Sequence, residues 1–402
     1  MPIEALRLSH YTVTNALGHG LAASWSALRE GRSGLRPNDY PPACGDAALT
    51  TWLGRVEGLE AVSLPETLQD YDCRNNRLAL LGLQQDGFVA AVAELRERLG
   101  ARHIGLFLGT STSGIEQTEQ AFARRDEQGR LPADYRYRQT QSPFSLADFC
   151  RRYLGLEGPV QVISTACSSS AKVFASAERH IAAGLCDAAV VGGVDSLCQS
   201  TLYGFNSLEL VSSQPCRPWD ATRDGINIGE GAGFALLQRA GAVPAGPRLL
   251  GYGESSDAWH MSTPHPEGDG AVAAMAQALA RAGLEPGAID YVNLHGTSTP
   301  SNDRAEDRAM VRVFGSSTPC SSTKGWTGHT LGAAGITEIV FAALALEHGW
   351  IPPSLNTQAI EPGLQAGVVL AGRSQPLRRV MSNSFGFGGS NCSVILGVDD
   401  GA

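Results

Sequence analysis

Apolar residues follow two alternating patterns along this chain. Short runs rich in valine, isoleucine and leucine predict strands over 103–108, 159–163, 188–194, 234–237, 291–294, 368–371 and 392–396, with a first strand at 6–14. Alanine-rich stretches with apolar residues at helical spacing predict helices over 77–99, 169–183, 271–282 and 335–346. Such alternation is the pattern of an α/β fold. The proline- and glycine-containing stretch 239–248 interrupts it and predicts a joint between residues 1–240 and 241–402. Gly229-Glu-Gly-Ala-Gly-Phe-Ala-Leu-Leu in the first part echoes Gly386-Phe-Gly-Gly-Ser-Asn-Cys-Ser-Val-Ile-Leu in the second. Each sets a glycine turn before a closing strand, as two copies of one unit would.

Composition narrows the class. With 402 residues, 43% hydrophobic and 18% charged, the chain is apolar enough to bury a large core. Its net charge of -9 argues against a nucleic-acid protein held by phosphate contacts. The first thirty residues lack a signal-peptide pattern, and the most apolar stretch, 331–346, carries Glu338 and two glycines. A cytoplasmic protein without membrane insertion is expected. Nine scattered cysteines with no Cys-x-x-Cys pair predict buried thiols rather than zinc or disulfides.

Four segments carry candidate chemistry. In Val162-Ile-Ser-Thr-Ala-Cys167-Ser-Ser-Ser170, a strand runs through a turn into a helix, placing Cys167 where a helix N-terminus favours thiolate. Standing alone, Cys167 would read as a buried thiol among capping serines. Tyr291-Val-Asn-Leu-His295-Gly-Thr297-Ser-Thr299-Pro300 ends a strand at a histidine followed by a hydroxyl-bearing loop. Ser322-Thr-Lys324-Gly-Trp-Thr-Gly-His329 places a lysine and a second histidine before a small-residue helix that can pack closely. Asn383-Ser-Phe385-Gly-Phe387-Gly-Gly389 is a glycine turn flanking two phenylalanines. A turn-capping histidine, a solvated lysine and a plain tight turn are the bland alternatives.

Together, in this order, the four segments resemble the β-ketoacyl-acyl-carrier-protein synthases, the elongating condensing enzymes of the thiolase superfamily. Arg217-Pro-Trp-Asp-Ala-Thr-Arg-Asp224 and Asp257-Ala-Trp-His260-Met261 extend the resemblance over most of the chain. It implies a thiolase-like five-layered α-β-α-β-α fold of two pseudo-duplicated halves, the first carrying the nucleophile and the second the histidines and phenylalanine gate. The implied reaction is a decarboxylative Claisen condensation of malonyl carrier protein with a Cys-bound acyl chain. Cys167 would be the nucleophile, and the N–H groups of Cys167 and Phe387 the oxyanion hole. His295 and His329 would polarise the malonyl thioester, with Lys324 organising His329 and Glu338 supporting it. Thr297 and Thr299 would hold the phosphopantetheine arm, and Phe385 and Phe387 would gate the acyl pocket. Asn293, Glu338, Ser382 and Asn383 resemble a structural monovalent-cation site.

No redox cofactor or nucleotide is implied, since Gly229-x-Gly231 lacks the dinucleotide-binding context. The implied partners are acyl carrier protein and a second subunit, either another copy or a chain-length-factor-like protein. Arg74, Arg77, Arg124 and Arg125 are candidates for docking the acidic carrier. The loop Thr165-Ala-Cys-Ser-Ser-Ser170 looks more like polyketide than housekeeping fatty-acid enzymes, which points to a specialised pathway such as aryl-polyene assembly. A non-catalytic chain-length-factor subunit is the alternative, and the presence of Cys167 counts against it.

Overall fold

A computed structural model describes residues 2–41, 48–242 and 246–399. Eleven strands form one hydrogen-bonded path: β1 (Leu6–Asn15), β2 (Ile104–Gly109), β3 (Val160–Ile163), β4 (Ala188–Asp195), β5 (Gly231–Arg239), β6 (Arg248–Ser256), β7 (Tyr291–Asn293), β8 (Pro319–Ser321), β9 (Gly367–Val368), β10 (Arg379–Gly386) and β11 (Ser390–Gly397). Their spatial order is β9-β8-β7-β10-β11-β6-β1-β5-β4-β2-β3. Counted from β1, the first half runs third, second, fourth, fifth, first from its outer edge. Counted from β6 and leaving out short β9, the second half repeats that order. Directions repeat as well: β2 lies parallel to β3 and β4, and β7 parallel to β8 and β10, while each closing strand is antiparallel to its neighbours. The halves join where β1 and β6 pair at Leu6 with Leu249 and Arg7 with Arg248.

The period-two pattern of the strands explains the layering. Along β4, Ala188, Val190 and Val194 enter one core while Ala189 and Val191 enter another. On β11, Cys392, Val394 and Leu396 face the second core and Ile395 a third. The shared middle core is filled by the helices Ser169–Ala182 and Ala334–His348. Outer helices Arg74–Leu83, Phe88–Leu99 and Phe144–Leu154 cover the first half, and Asp269–Ala282 and Pro300–Phe314 the second. This is the expected α-β-α-β-α stack. The stretch Leu331–His348 is long and apolar enough to cross a membrane, yet 89% of it is buried inside the fold.

One predicted helix divides. The 77–99 pattern becomes Arg74–Leu83 and Phe88–Leu99, bent by 75°. Asp86 and Gly87 adopt positive φ between them, and the Asp86 carboxylate accepts from Thr12 Oγ1 and the Leu21 N–H. Capturing that side chain ends the first helix where periodicity alone would continue it.

Candidate active site

Cys167 sits in the turn between β3 and the helix Ser169–Ala182, after Ala166 at φ 51°. The neighbouring serines shape the turn: Ser169 Oγ donates to the Ala166 carbonyl at 2.6 Å and accepts from the Thr165 N–H at 2.9 Å. The thiol is buried, at 5% exposure. Burial pushes it up to about 11, against the opposing pull of the Lys324 charge and a hydrogen bond from the Phe387 N–H. Loss of solvent thus opposes the lowering expected from the helix N-terminus.

Lys324, at 1% exposure, lies in the helix Lys324–Thr327. His329 follows, with its N–H on the Asn227 carbonyl at 2.7 Å and its carbonyl accepting from Gly229 at 2.9 Å. The glycine motif of the first half thus holds a histidine of the second. His329 Nε2 stands 3.0 Å from Cys167 Sγ, while Nδ1 accepts from the Leu331 N–H at 3.3 Å. His295 leaves the end of β7, its N–H and that of Gly296 each 2.8 Å from a different oxygen of Glu306. Its Nδ1 lies 3.5 Å from the ammonium of Lys324, which also donates to the His295 carbonyl and, at 2.5 Å, to Glu338. Contrary to expectation, Lys324 therefore organises His295; its chain geometry carries its ammonium there, and Nδ1 of His329 is served by Leu331.

Both Nδ1 atoms meet donors, which leaves the proton of each ring on Nε2, and that of His329 is directed at the Cys167 sulfur. Burial and then the Lys324 charge hold both imidazoles well below their usual range, with His329 adding to the shift of His295. They are neutral N–H donors. The rings lie 5.4 Å apart at 82°, and Sγ with one nitrogen from each histidine falls within 4.8 Å. That spacing would suit a metal, but a ligating Nε2 must give up its proton, which the donors at Nδ1 oppose.

The sulfur and both histidines line one cleft. Thr297, Thr299, Phe385 and Phe387 line it as expected. The threonine hydroxyls bond each other at 2.9 Å, and Phe385 packs 5.9 Å from the His295 ring. Phe387 is followed by Gly388 and Gly389 at φ 79° and 72°, a left-handed pair that glycine alone adopts readily. Their turn is fixed by Gly388 N–H on the Met261 carbonyl and Asp257 N–H on that of Gly389. Phe205, Leu210 and Ile226 complete the apolar wall. Glu306 escapes sequence reading, because its role exists only once its helix returns against β7.

Asn293 Oδ1, Glu338 Oε2 and Ser382 Oγ are buried without hydrogen-bond partners, and Asn293 pairs with Ser382 across β7 and β10. Three orphaned oxygens on adjoining elements fit a small cation. Asn383 departs from the set, since its side-chain oxygen accepts from Ser393 at 2.8 Å. Among the docking arginines, Arg74 is withdrawn: at 6% exposure it is bound to Glu230 and Glu60. Arg77 is held by both oxygens of Asp72 at 2.6 Å, whereas Arg124 pairs at the surface with Asp134 and Arg125 lies over the Phe122 ring.

Comparison with known proteins gives a consistent set. The family models for the beta-ketoacyl synthase N-terminal and C-terminal domains match residues 11–242 and 248–358. A 3-oxoacyl-[acyl-carrier-protein] synthase 2 of Vibrio cholerae is 32% identical over 94% of this chain and 95% of its own. Nodulation protein E of Rhizobium meliloti is 32% identical over 93% and 94%. A solved ketosynthase (ApeO) in complex with its chain length factor (ApeC) from Xenorhabdus doucetiae superposes with a TM-score of 0.88, 42% identical over 98% of each chain.

Proposed function

The chain belongs to the β-ketoacyl synthase family, and from that premise we propose how its residues divide the work of elongating condensation. The observation that carries the reading is a buried thiol with Nε2 of His329 3.0 Å away and a nitrogen of His295 within 4.8 Å, each ring meeting a donor at Nδ1. Cys167 attacks the thioester of an acyl carrier protein; the carrier's pantetheine sulfur leaves with the thiol proton, and the acyl group stays on the enzyme. Thr297 and Thr299 bind the incoming arm by their hydroxyls.

Malonyl carrier protein then takes the vacated arm site. Its carboxyl carbon–carbon bond breaks, carbon dioxide leaves, and the electron pair moves onto the thioester carbonyl as an enolate. The Nε2–H groups of His295 and His329 donate to that oxygen. The enolate carbon attacks the acyl-cysteine, whose oxygen is received by the N–H groups of Phe387 and Cys167. Collapse expels the cysteine sulfur as thiolate, which takes a proton from water, and yields β-ketoacyl carrier protein. Each preorganised donor is worth about 3–4 kcal/mol of barrier. No step calls for a redox cofactor.

A monovalent cation held by Asn293, Glu338 and Ser382 would supply fixed positive charge behind Lys324 and leave the chemistry to the side chains above. For the second subunit we favour a homodimer. The free edge of β3, which leads directly to Cys167, is half-buried at Val160, Val162 and Ile163 and offers an unpaired strand. Pairing with a chain-length-factor-like subunit in a specialised pathway is the second reading, favoured by the 42% identity to a ketosynthase solved with such a partner.

Purified enzyme supplied with acyl and malonyl carrier proteins is expected to release carbon dioxide and form a β-ketoacyl product. Cys167→Ala abolishes acyl transfer, while His295→Ala or His329→Ala lowers malonyl decarboxylation by about 10²–10³ and acyl transfer less. Undiminished condensation by Cys167→Ala would overturn the assignment.

A further inference from the structure

At the C-terminal end of β4, Asp195 is fully buried and, among the described residues, forms no ion pair. Its carboxylate instead collects neutral donors: Thr110 Oγ1 at 2.7 Å, Ser111 N–H at 2.8 Å and its hydroxyl, and Thr112 N–H and Oγ1 at 3.0 and 2.9 Å. These contacts close the loop after β2 within the first half. The remaining donor comes from the other half of the molecule, where Gly332 N–H reaches Asp195 Oδ2 at 2.6 Å.

Gly332 lies three residues after His329, and between them Leu331 adopts φ 53°, a conformation that branched side chains rarely take. A strained residue persists only where its surroundings determine it. Here the clamp on the Gly332 N–H holds the far side of Leu331, and the Ala333 N–H closes the turn on the Thr330 carbonyl at 3.0 Å. In that conformation the Leu331 N–H points at His329 Nδ1. We propose that Asp195 is a positioning residue for condensation, which sets the tautomer of His329 by clamping Gly332 across the seam between the halves.

The chain of contacts gives the carboxylate an indirect task. Asp195 touches neither cavity nor substrate, but without its pull on Gly332 the turn relaxes, and the Leu331 N–H leaves Nδ1. His329 then shares its proton between the two nitrogens, and part of the population presents a lone pair to the enolate oxygen instead of a donor. The inference rests on the proposed role of His329, but its primary readout does not. Tautomer can be measured in resting enzyme without substrate.

Nitrogen-15 chemical shifts of His329 in wild-type enzyme are expected to show protonation at Nε2 alone. In D195N a second, Nδ1-protonated population appears, and malonyl decarboxylation falls at least about tenfold, with acyl transfer to Cys167 changed less. G332A gives an independent approach, because its Cβ would stand 2.7 Å from Asp195 Oδ2 and 2.8 Å from the Ser111 nitrogen, forcing the clamp open while the Asp195 carboxylate and its Thr110 and Thr112 donors remain. It also crowds the Ser111 N–H, one of the other donors to Asp195, but leaves the carboxylate itself in place, and is expected to reproduce the D195N spectrum. T112V removes a donor from the same carboxylate without touching Gly332, and is expected to keep a single tautomer. An unaltered His329 tautomer in D195N and G332A, or an equal change in T112V, overturns the proposal. A changed tautomer with undiminished decarboxylation would instead refute the donor role of His329.

Discussion

At the residue scale the site is a matter of where protons sit. Lys324 and the Leu331 N–H occupy Nδ1 of the two imidazoles and so leave each proton on Nε2, which makes both rings donors for a developing enolate. Lys324→Met leaves the Glu338 carboxylate buried without its cation, and is expected to destabilise the fold by about 3–5 kcal/mol in denaturant unfolding. Lys324→Met with Glu338→Leu should recover most of that stability but not decarboxylation, because His295 Nδ1 still lacks its donor. The pH dependence follows from the same neutrality. Both histidines are held below 6.5 in the fold, so decarboxylation should be flat from pH 8 to 6.5 on their account. Below 6.5 the unfolded chain takes up protons that the folded histidines refuse. Their contribution to stability therefore falls with acid, by up to about 1.4 kcal/mol per pH unit for each; titration of unfolding midpoints in His329→Gln against wild type isolates one of them.

At the scale of elements, two helices from different halves meet in the middle layer, and each is entered from a catalytic turn. Their approach is permitted by Gly335, where a Cβ would stand 2.5 Å from the Ala171 main-chain nitrogen and 2.9 Å from its Cβ. Gly335→Val is expected to cost about 1–3 kcal/mol of stability by overpacking. Acylation of Cys167 should fall with it, since the same displacement separates the sulfur from His329. A loss of stability with full acylation would show that the helix ends move independently. The bend at Asp86 and Gly87 teaches the complementary lesson: an alanine-rich period extends only until a side chain finds a better acceptor role elsewhere in the fold.

For the whole molecule, the repeated strand order accounts for why the chemistry lies at a seam. Each half ends a set of parallel strands near the centre, and neither half alone supplies both a nucleophile and an N–H donor pair. A cation in the pocket of orphaned oxygens should raise Tm with added potassium or sodium but not tetramethylammonium, following mass action, and Asn293→Leu should remove that specific increment. Much of this was legible beforehand. The strand–turn–helix around Cys167, the histidines after β7 and before the apolar helix, and the glycine turn at Phe387 are local signals, written in residues that sit close together in the chain. Glu306 under His295, Asp195 behind His329 and the capture of Arg74 by Glu230 are contacts between segments distant in sequence, with no spacing to betray them. Residue types and local periodicity determined the elements and marked the segments around Cys167, His295, His329 and Phe387, because those depend on short-range backbone preference and on side-chain chemistry; the doubled, layered architecture was implied only by the family resemblance. Which nitrogen holds each proton, which histidine the lysine serves and how strongly burial opposes a thiolate at Cys167 were decided only by tertiary packing, because burial and hydrogen-bond geometry arise when remote segments meet.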